Sequence, residues 1–275
     1  MTNNHCYHFE KHSYNDGCLS ESVDATYIIH LEGNGRLLKI KQQLEKYHAT
    51  YTTYILFNKG YTKCKKEISA EIPRIDLIDA YLQVFAHAEE NFYQNILILE
   101  DDFIFDEKIL DPSVTSDIND FIVEKNTDCF LYYLGCIPLI QSPSFTTNHN
   151  ALFASIGTHS VIYSQSARKQ IKKCNIDKYS DWDYLMFQMC IQKYMYKEPL
   201  CYQLFDNTEN QQHWLDFYGL RNLVIWIFMK LELDKSIAGY SFFYFNSQIA
   251  FYILIILFFL LFYLLFYLLK RLLAK

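Results

Sequence analysis

The 275-residue sequence has no C-x-x-C pair among its eight cysteines, no N-x-S/T acceptor, no long basic block and no apolar stretch near its start. Each absence removes a class. Without C-x-x-C there is neither a zinc ribbon nor a thioredoxin-like redox motif. Cys6, Cys18, Cys64, Cys129, Cys136, Cys174, Cys190 and Cys201 therefore read as structural, mostly buried thiols. Residues 1–25 are polar and aperiodic, so they are no signal peptide and read as a flexible tail. The His5, Cys6, His8, His12 and Cys18 found there follow no zinc spacing. A formal charge of -6 with no basic cluster argues against nucleic acid as a partner. The G-N-G turn at 33–35 lacks the third glycine of a dinucleotide fingerprint, because Leu38 stands in its place.

What is present alternates. TYIIHL (26–31), TTYILF (52–57), NILIL (95–99), CFLYYLG (129–135) and SVIYS (160–164) read as strands. Between them, 37–48, 75–90, 113–125, 166–173 and 181–196 carry helical apolar spacing. Strands separated by helices predict an α/β domain with a mostly parallel sheet. Ile249 to Leu269 is 21 residues without a charge, which at about 1.5 Å per residue crosses a bilayer core of roughly 30 Å. Tyr240, Phe242, Phe243, Tyr244 and Phe245 precede it as an interfacial aromatic belt. Leu220, Leu223, Val224, Ile227, Phe228 and Leu231 form an apolar helical face, suited to the membrane interface or to the domain's own core. The division expected is a tail over 1–25, an α/β domain over 26–215, a juxtamembrane segment over 216–246, a membrane helix over 247–270 and a basic tail over 271–275. Lys270, Arg271 and Lys275 favour a cytosolic C-terminus. The missing signal peptide and N-x-S/T site favour a tail anchor with the main domain in the cytosol, which is the placement expected.

Chemistry concentrates in ILILEDD (96–102), where Glu100, Asp101 and Asp102 follow an apolar strand. Side chains two apart on a strand point the same way, so an extended backbone turns Glu100 and Asp102 into one cavity. Like charges so placed repel, and a hard divalent cation relieves them. A solvated strand end is the other reading. The strand's carboxyl end is also where open parallel sheets bind ligands.

YIIHLEGNGR (27–36), ILILEDD (96–102), YYLG (132–135), SVIYSQSAR (160–168) and SDWDYL (180–185) stand in an order that resembles glycosyltransferase family 25, which holds lipooligosaccharide and collagen galactosyltransferases. The resemblance covers about 26–190. It departs at Ala80-Tyr81, where the family has a Ser-His pair, and at His30, where the family has Asn. The resemblance implies a GT-A-type, Rossmann-like fold, a nucleotide-sugar donor (UDP-sugar favoured), a glycan, lipid or protein acceptor, and Mn²⁺ or Mg²⁺. Asp102 and Glu100 are its implied metal ligands. Arg36, Leu31, Glu32 and Asp101 are its substrate-binding residues, and Asp183 its catalytic base, with Asp181 as a second candidate. Asp181 also sits where an N-cap would. His213 is a loop histidine or a further ligand. Asp102 is expected in a cleft facing Asp183. The reading from another class is a degenerate transferase-like module that binds a sugar or partner without turnover. A metal-dependent phosphohydrolase would need further ligand clusters that the sequence lacks.

Overall fold

The computed structural model describes residues 5–175, 178, 181–204, 221–232 and 237–273. His213 lies outside them. Strand β4 (Asn95–Glu100) is central because Ile96, Leu97, Ile98 and Leu99 are all fully buried, a run apolar on both faces. It pairs in parallel with β2 (Ala25–Leu31), which pairs in parallel with β3 (Thr52–Asn58). On its other side β7 (His149–Ser164) runs antiparallel, followed by β6 (Phe130–Ser142) and the edge strand β8 (Gln192–Tyr196). The order is β1-β3-β2-β4-β7-β6-β8, with β1 (Tyr7–Ser13) antiparallel at the far edge. The sheet is thus mixed rather than mostly parallel. A two-stranded sheet, β5 (Phe103–Phe105) with β9 (Cys201–Gln203), lies beyond the end of β4.

Period-two alternation divides the core. Ile96, Ile98, Leu131 and Tyr133 face one layer, with α2 (Pro73–Glu90), α4 (Gln165–Lys172) and α5 (Trp182–Gln188). Leu97, Leu99, Tyr132 and Leu134 face the other, with α1 (Leu37–Lys46) and α3 (Pro112–Glu124). Helix starts are set locally. Pro73 and Pro112 occupy first-turn positions, and Asp111 and Ser164 accept hydrogen bonds from Ser113 N and Ala167 N.

Several expectations are corrected. The tail over 1–25 is structured from His5 on. Strand β1 zips onto β3, and Cys6 forms a disulfide with Cys64, so these two are not free thiols. The Nζ of Lys66 reinforces this edge, donating to Tyr7 Oη (2.7 Å), Asn58 Oδ1 (2.6 Å) and Asp76 Oδ1 (2.5 Å). The helix expected over 181–196 stops at Gln188, and β8 takes its second half. The short strand expected at 160–164 is the end of the 16-residue β7.

After α6 (Arg221–Lys230), one helix, α7, runs from Ile237 to Leu273. Within Gly239–Leu273 the most apolar 18-residue window has a mean hydropathy of 3.0, and the helix is long and apolar enough to cross a membrane. Its first turns do not float as an aromatic belt. Tyr240 and Tyr244 are buried in the core, while Phe242 and Phe245 stay exposed. The Gln141 amide of β6 donates to Tyr244 O and Ser247 Oγ, both at 2.8 Å, and clamps the helix to the sheet.

Candidate functional site

The acidic triplet closes β4, and the chain turns directly after Glu100. The extended backbone that would aim Glu100 and Asp102 together does not continue, and the three carboxylates fan apart. Asp101 turns toward the β2–α1 loop. Its Oδ2 accepts from Leu31 N (3.1 Å), Asn34 Nδ2 (2.5 Å) and His30 Nδ1 (3.2 Å), and its Oδ1 from Arg36 Nη1 (2.7 Å). Gly33 and Gly35, at φ +88° and +80°, let that loop curl around the carboxylate, a backbone shape other residues rarely take. Burial opposes ionisation of Asp101, but His30, Arg36 and Leu31 N together hold its carboxyl below the usual range. Asp101 therefore organises the loop rather than standing open to a sugar. Of the other expected substrate residues, Leu31 contributes its amide, and Glu32 is half-buried with its carbonyl accepting from Lys63 Nζ at 3.0 Å. Arg36 is buried against the acids, with Nη1 also 3.3 Å from Asp102 Oδ2.

Asp102 turns toward β9. Its Oδ2 accepts from Gln203 Nε2 at 3.1 Å, and its Oδ1 is buried without a hydrogen-bond partner among the described residues. Only 4% of the residue is exposed, so it does not stand in an open cleft opposite Asp183. Burial pushes its carboxyl up to about 6 against the pull of Arg36. Glu100 turns toward α2 and β7, where Oε1 accepts from Tyr81 Oη (3.0 Å) and Thr158 Oγ1 (3.2 Å). Burial, then the charges of Asp102 and Asp183, raise its carboxyl well above the ordinary range.

Asp183, on α5, accepts from Thr158 Oγ1 at 2.9 Å and Gly157 N at 3.1 Å, and burial followed by Asp181 pushes it up to about 6. The single Thr158 hydroxyl proton thus faces two carboxylates and can be donated in full to only one of them, Asp183 being the nearer at 2.9 Å. Asp181 caps α5, its Oδ1 accepting from Asp183 N (2.9 Å) and Tyr184 N (3.3 Å). That spent carboxylate makes it the helix cap and not a second base.

The two departures from the family pattern fall on the triplet itself. His30 meets Asp101, and Tyr81 meets Glu100. Tyr81 is fixed by stacking on Trp182, with centroids 4.1 Å apart. Sequence reasoning missed Thr158, Gln203 and His159. His159 lies beside Gly135 and Gly157, with Nε2 3.4 Å from Cys201 O and Nδ1 buried without a partner among the described residues. Burial lowers its pKa to about 4, so the ring is neutral near pH 7. No local signal marks these three, since each matters only through strands distant in sequence.

An orphaned, buried carboxylate oxygen suits a hard cation, which takes one or two carboxylates and fills its shell with phosphate. Among the described residues, however, the one group of three His, Cys, Asp or Glu ligand atoms within 4.8 Å is His5, Cys6 and Cys64, where the sulfurs form the disulfide. Asp102 thus offers one orphaned carboxylate oxygen, and the described residues form no closed carboxylate cage around it.

No protein-family model and no curated protein matches the chain. Among solved structures it is similar to A197 from STIV, with a TM-score of 0.39 and 11% identity over 67% of this chain and 86% of that one. It is also similar to a protein described as a glucose-1-phosphate thymidylyltransferase from Bacillus anthracis, in complex with a sucrose. There the TM-score is 0.33 and the identity 8%, over 68% of this chain and 92% of that one. Likeness at this level says nothing about activity.

Proposed function

We propose that the protein is a membrane-anchored glycosyltransferase that moves a sugar from a nucleotide-sugar donor, UDP-sugar favoured, to an acceptor hydroxyl with inversion. One observation carries the reading. Glu100, at the carboxyl end of a parallel strand, lies within electrostatic reach of both Asp102 and Asp183, and those two are each pushed up to about 6. Keeping three carboxylates this poorly solvated opposes folding, and such clusters persist where function needs them. Asp102 would hold Mn²⁺ or Mg²⁺ through its orphaned carboxylate oxygen, with Glu100 in support. The ion, when bound, neutralises charge on the leaving diphosphate. Asp183 has a pKa near that of a general base working around neutral pH. Arg36, held by Asp101 at the mouth of the loop, faces the same anionic end.

Two features favour the α/β domain on the oxidising side of the membrane, in place of the cytosolic side the sequence favours. The Cys6–Cys64 disulfide persists in oxidising compartments, and Lys270 and Arg271 follow the span. Protease protection in sealed microsomes tests this, and a domain digested without detergent reverses the orientation.

The activity is tested by donor hydrolysis with a panel of UDP- and GDP-sugars, with and without Mn²⁺, in wild type and Asp102→Ala. Metal-dependent turnover lost in the variant is expected. A second reading, a sugar- or partner-binding module without turnover, draws on the Arg36 guanidinium lying 3.3 Å from Asp102, where it supplies positive charge without a metal. Donor binding with no hydrolysis and no metal dependence would establish that reading instead.

A further inference from the structure

The edge of the sheet at β1 gathers metal-binding atoms of another kind from those of the acidic site. His5, Cys6 and Cys64 bring an imidazole nitrogen and two sulfurs within 4.8 Å of one another. His5 Nε2 is 3.6 Å from Cys6 Sγ. In a tetrahedral zinc site, with Zn–S of about 2.3 Å and Zn–N of about 2.0–2.1 Å, nitrogen and sulfur ligands stand roughly 3.6 Å apart. Two sulfurs on zinc stand roughly 3.8 Å apart, against about 2.0 Å when bonded to each other. Cys6 and Cys64 are joined in the structure, so a metal needs their bond broken and the sulfurs parted by about 2 Å. Sequence spacing around His5 and Cys6 gave no zinc pattern because the third ligand lies 58 residues from Cys6.

Bonds other than the disulfide hold all three residues in place. Lys59 N donates to Cys6 O at 3.2 Å, and Tyr7, the next residue, opens the β1–β3 ladder opposite Asn58. Cys64 N donates to Gly60 O at 3.0 Å, and Lys66, two residues on, is tied to Tyr7 and Asp76. Lys59 Nζ donates to His5 O at 2.8 Å. Reduction therefore lets the two side chains rotate while their Cα atoms, 5.6 Å apart, stay neighbours. Two thiolates and an imidazole suit zinc among the common divalent ions. With Zn²⁺ they make a group of no net charge, which adds no repulsion to Lys59, Lys63 and Lys65 around it. His5 is exposed while both cysteines are buried, so the fourth position opens to solvent and takes a water.

We propose that His5, Cys6 and Cys64 form a zinc site in the reduced protein, so that zinc and the disulfide are alternative clasps on one edge of the sheet. Two molecules of a monothiol such as glutathione reduce the bridge, each giving one electron and one proton, and leave as their own disulfide. Zn²⁺ then displaces the two thiol protons to water and binds both sulfurs together with His5 Nε2. The clasp also reaches the acidic site. Lys63, beside Cys64, donates through Nζ to Glu32 O at 3.0 Å, in the loop that curls around Asp101. The site does not depend on sugar transfer.

The test uses the full chain in detergent, either oxidised or reduced with a phosphine that is then removed without air. Zn²⁺ is titrated into each form against a chromophoric chelator, and Tm is read with and without the metal. Cys18, Cys129, Cys136, Cys174, Cys190 and Cys201 are free in both forms, so zinc uptake that appears only on reduction belongs to this site. Reduced wild type is expected to take up one more equivalent than oxidised wild type and to regain roughly half or more of the Tm lost on reduction. His5→Ala, at an exposed position, is expected to keep the disulfide and fold yet weaken the added binding by about tenfold or more. Cys64→Ser is expected to lose the added uptake and the zinc-dependent rise in Tm. Equal uptake in both redox forms, a reduced Tm that zinc leaves unchanged, or added binding that His5→Ala does not weaken overturns the proposal.

Discussion

Asp102→Asn in metal-free buffer is expected to make the protein more stable at neutral pH, although it removes a candidate metal ligand. The folded-state pKa of about 6 lies some 2 units above the ordinary aspartate value near 3.9. At about 1.4 kcal/mol per unit, ionisation of Asp102 opposes folding by up to about 3 kcal/mol. Because the folded pKa is raised, the stability from the neutral form is complete below about pH 4 and is lost as pH rises through 6. Asparagine keeps an oxygen for Gln203 and removes the charge, but Arg36 loses one of two carboxylate neighbours, which offsets roughly 1 kcal/mol. The net gain is about 1–2 kcal/mol at pH 7.5, or roughly 2–8 °C in Tm for a chain of this size. At pH 4.5 the gain is expected to shrink toward zero. Thermal denaturation of the full chain in detergent with chelator, at pH 4.5, 6 and 7.5, reads this directly. Adding Mn²⁺ at pH 7.5 is then expected to raise the wild-type Tm and leave the variant unmoved. A variant less stable than wild type at pH 7.5, or a difference that ignores pH, would refute the electrostatic argument.

Other parts of the fold give equally definite expectations. The Cys6–Cys64 bridge spans 58 residues, so its loss through Cys64→Ser is expected to destabilise by about 4 kcal/mol, seen as a Tm fall that reductant reproduces in wild type. Arg168 is fully buried and donates to the carbonyls of Tyr93, Gln94 and Tyr163, so Arg168→Met, which strands them, is expected to cost at least about 3 kcal/mol in denaturant midpoints. A Cβ on Gly135 would stand 1.9 Å from Cys201 O. Gly135→Ala is therefore expected to push β9 away, cost about 1–3 kcal/mol and weaken the Gln203 contact with Asp102, with faster amide exchange across 201–203 as the sign.

The central strands and the helices on both faces were legible because burial on two sides leaves long apolar runs, as in NILIL. Strand β1 was not. At the sheet's edge only Tyr7 is buried, so YHFEKHS carries polar residues throughout and reads as tail. Strand β8 was hidden for a related reason, since Gln192 and Lys193 at its start are compatible with a continuing helix. The middle of β7, just before the stretch read as a strand, contains Gly157, Thr158 and His159, residues that weaken a strand signal and yet lie beside the acids. Of the site, the acidic triplet and Asp183 were visible as residues in a familiar order. Their directions were not, because the turn after Glu100 is set by contacts with Arg36, Thr158 and Gln203 from three other segments. The departures at His30 and Tyr81 were the one sequence clue to those contacts.

Clamping α7 to β6 has a consequence for how the chain is made. Tyr240 and Tyr244 fill the same core layer as Tyr133 and Trp182, yet they follow everything else in that layer along the chain. The sheet therefore remains an unfinished surface during synthesis, until the long apolar helix α7 has been delivered to it. Completion of the domain thus waits on α7, and a fragment ending before Ile237 is expected to behave as an aggregation-prone intermediate rather than as a soluble version of the protein.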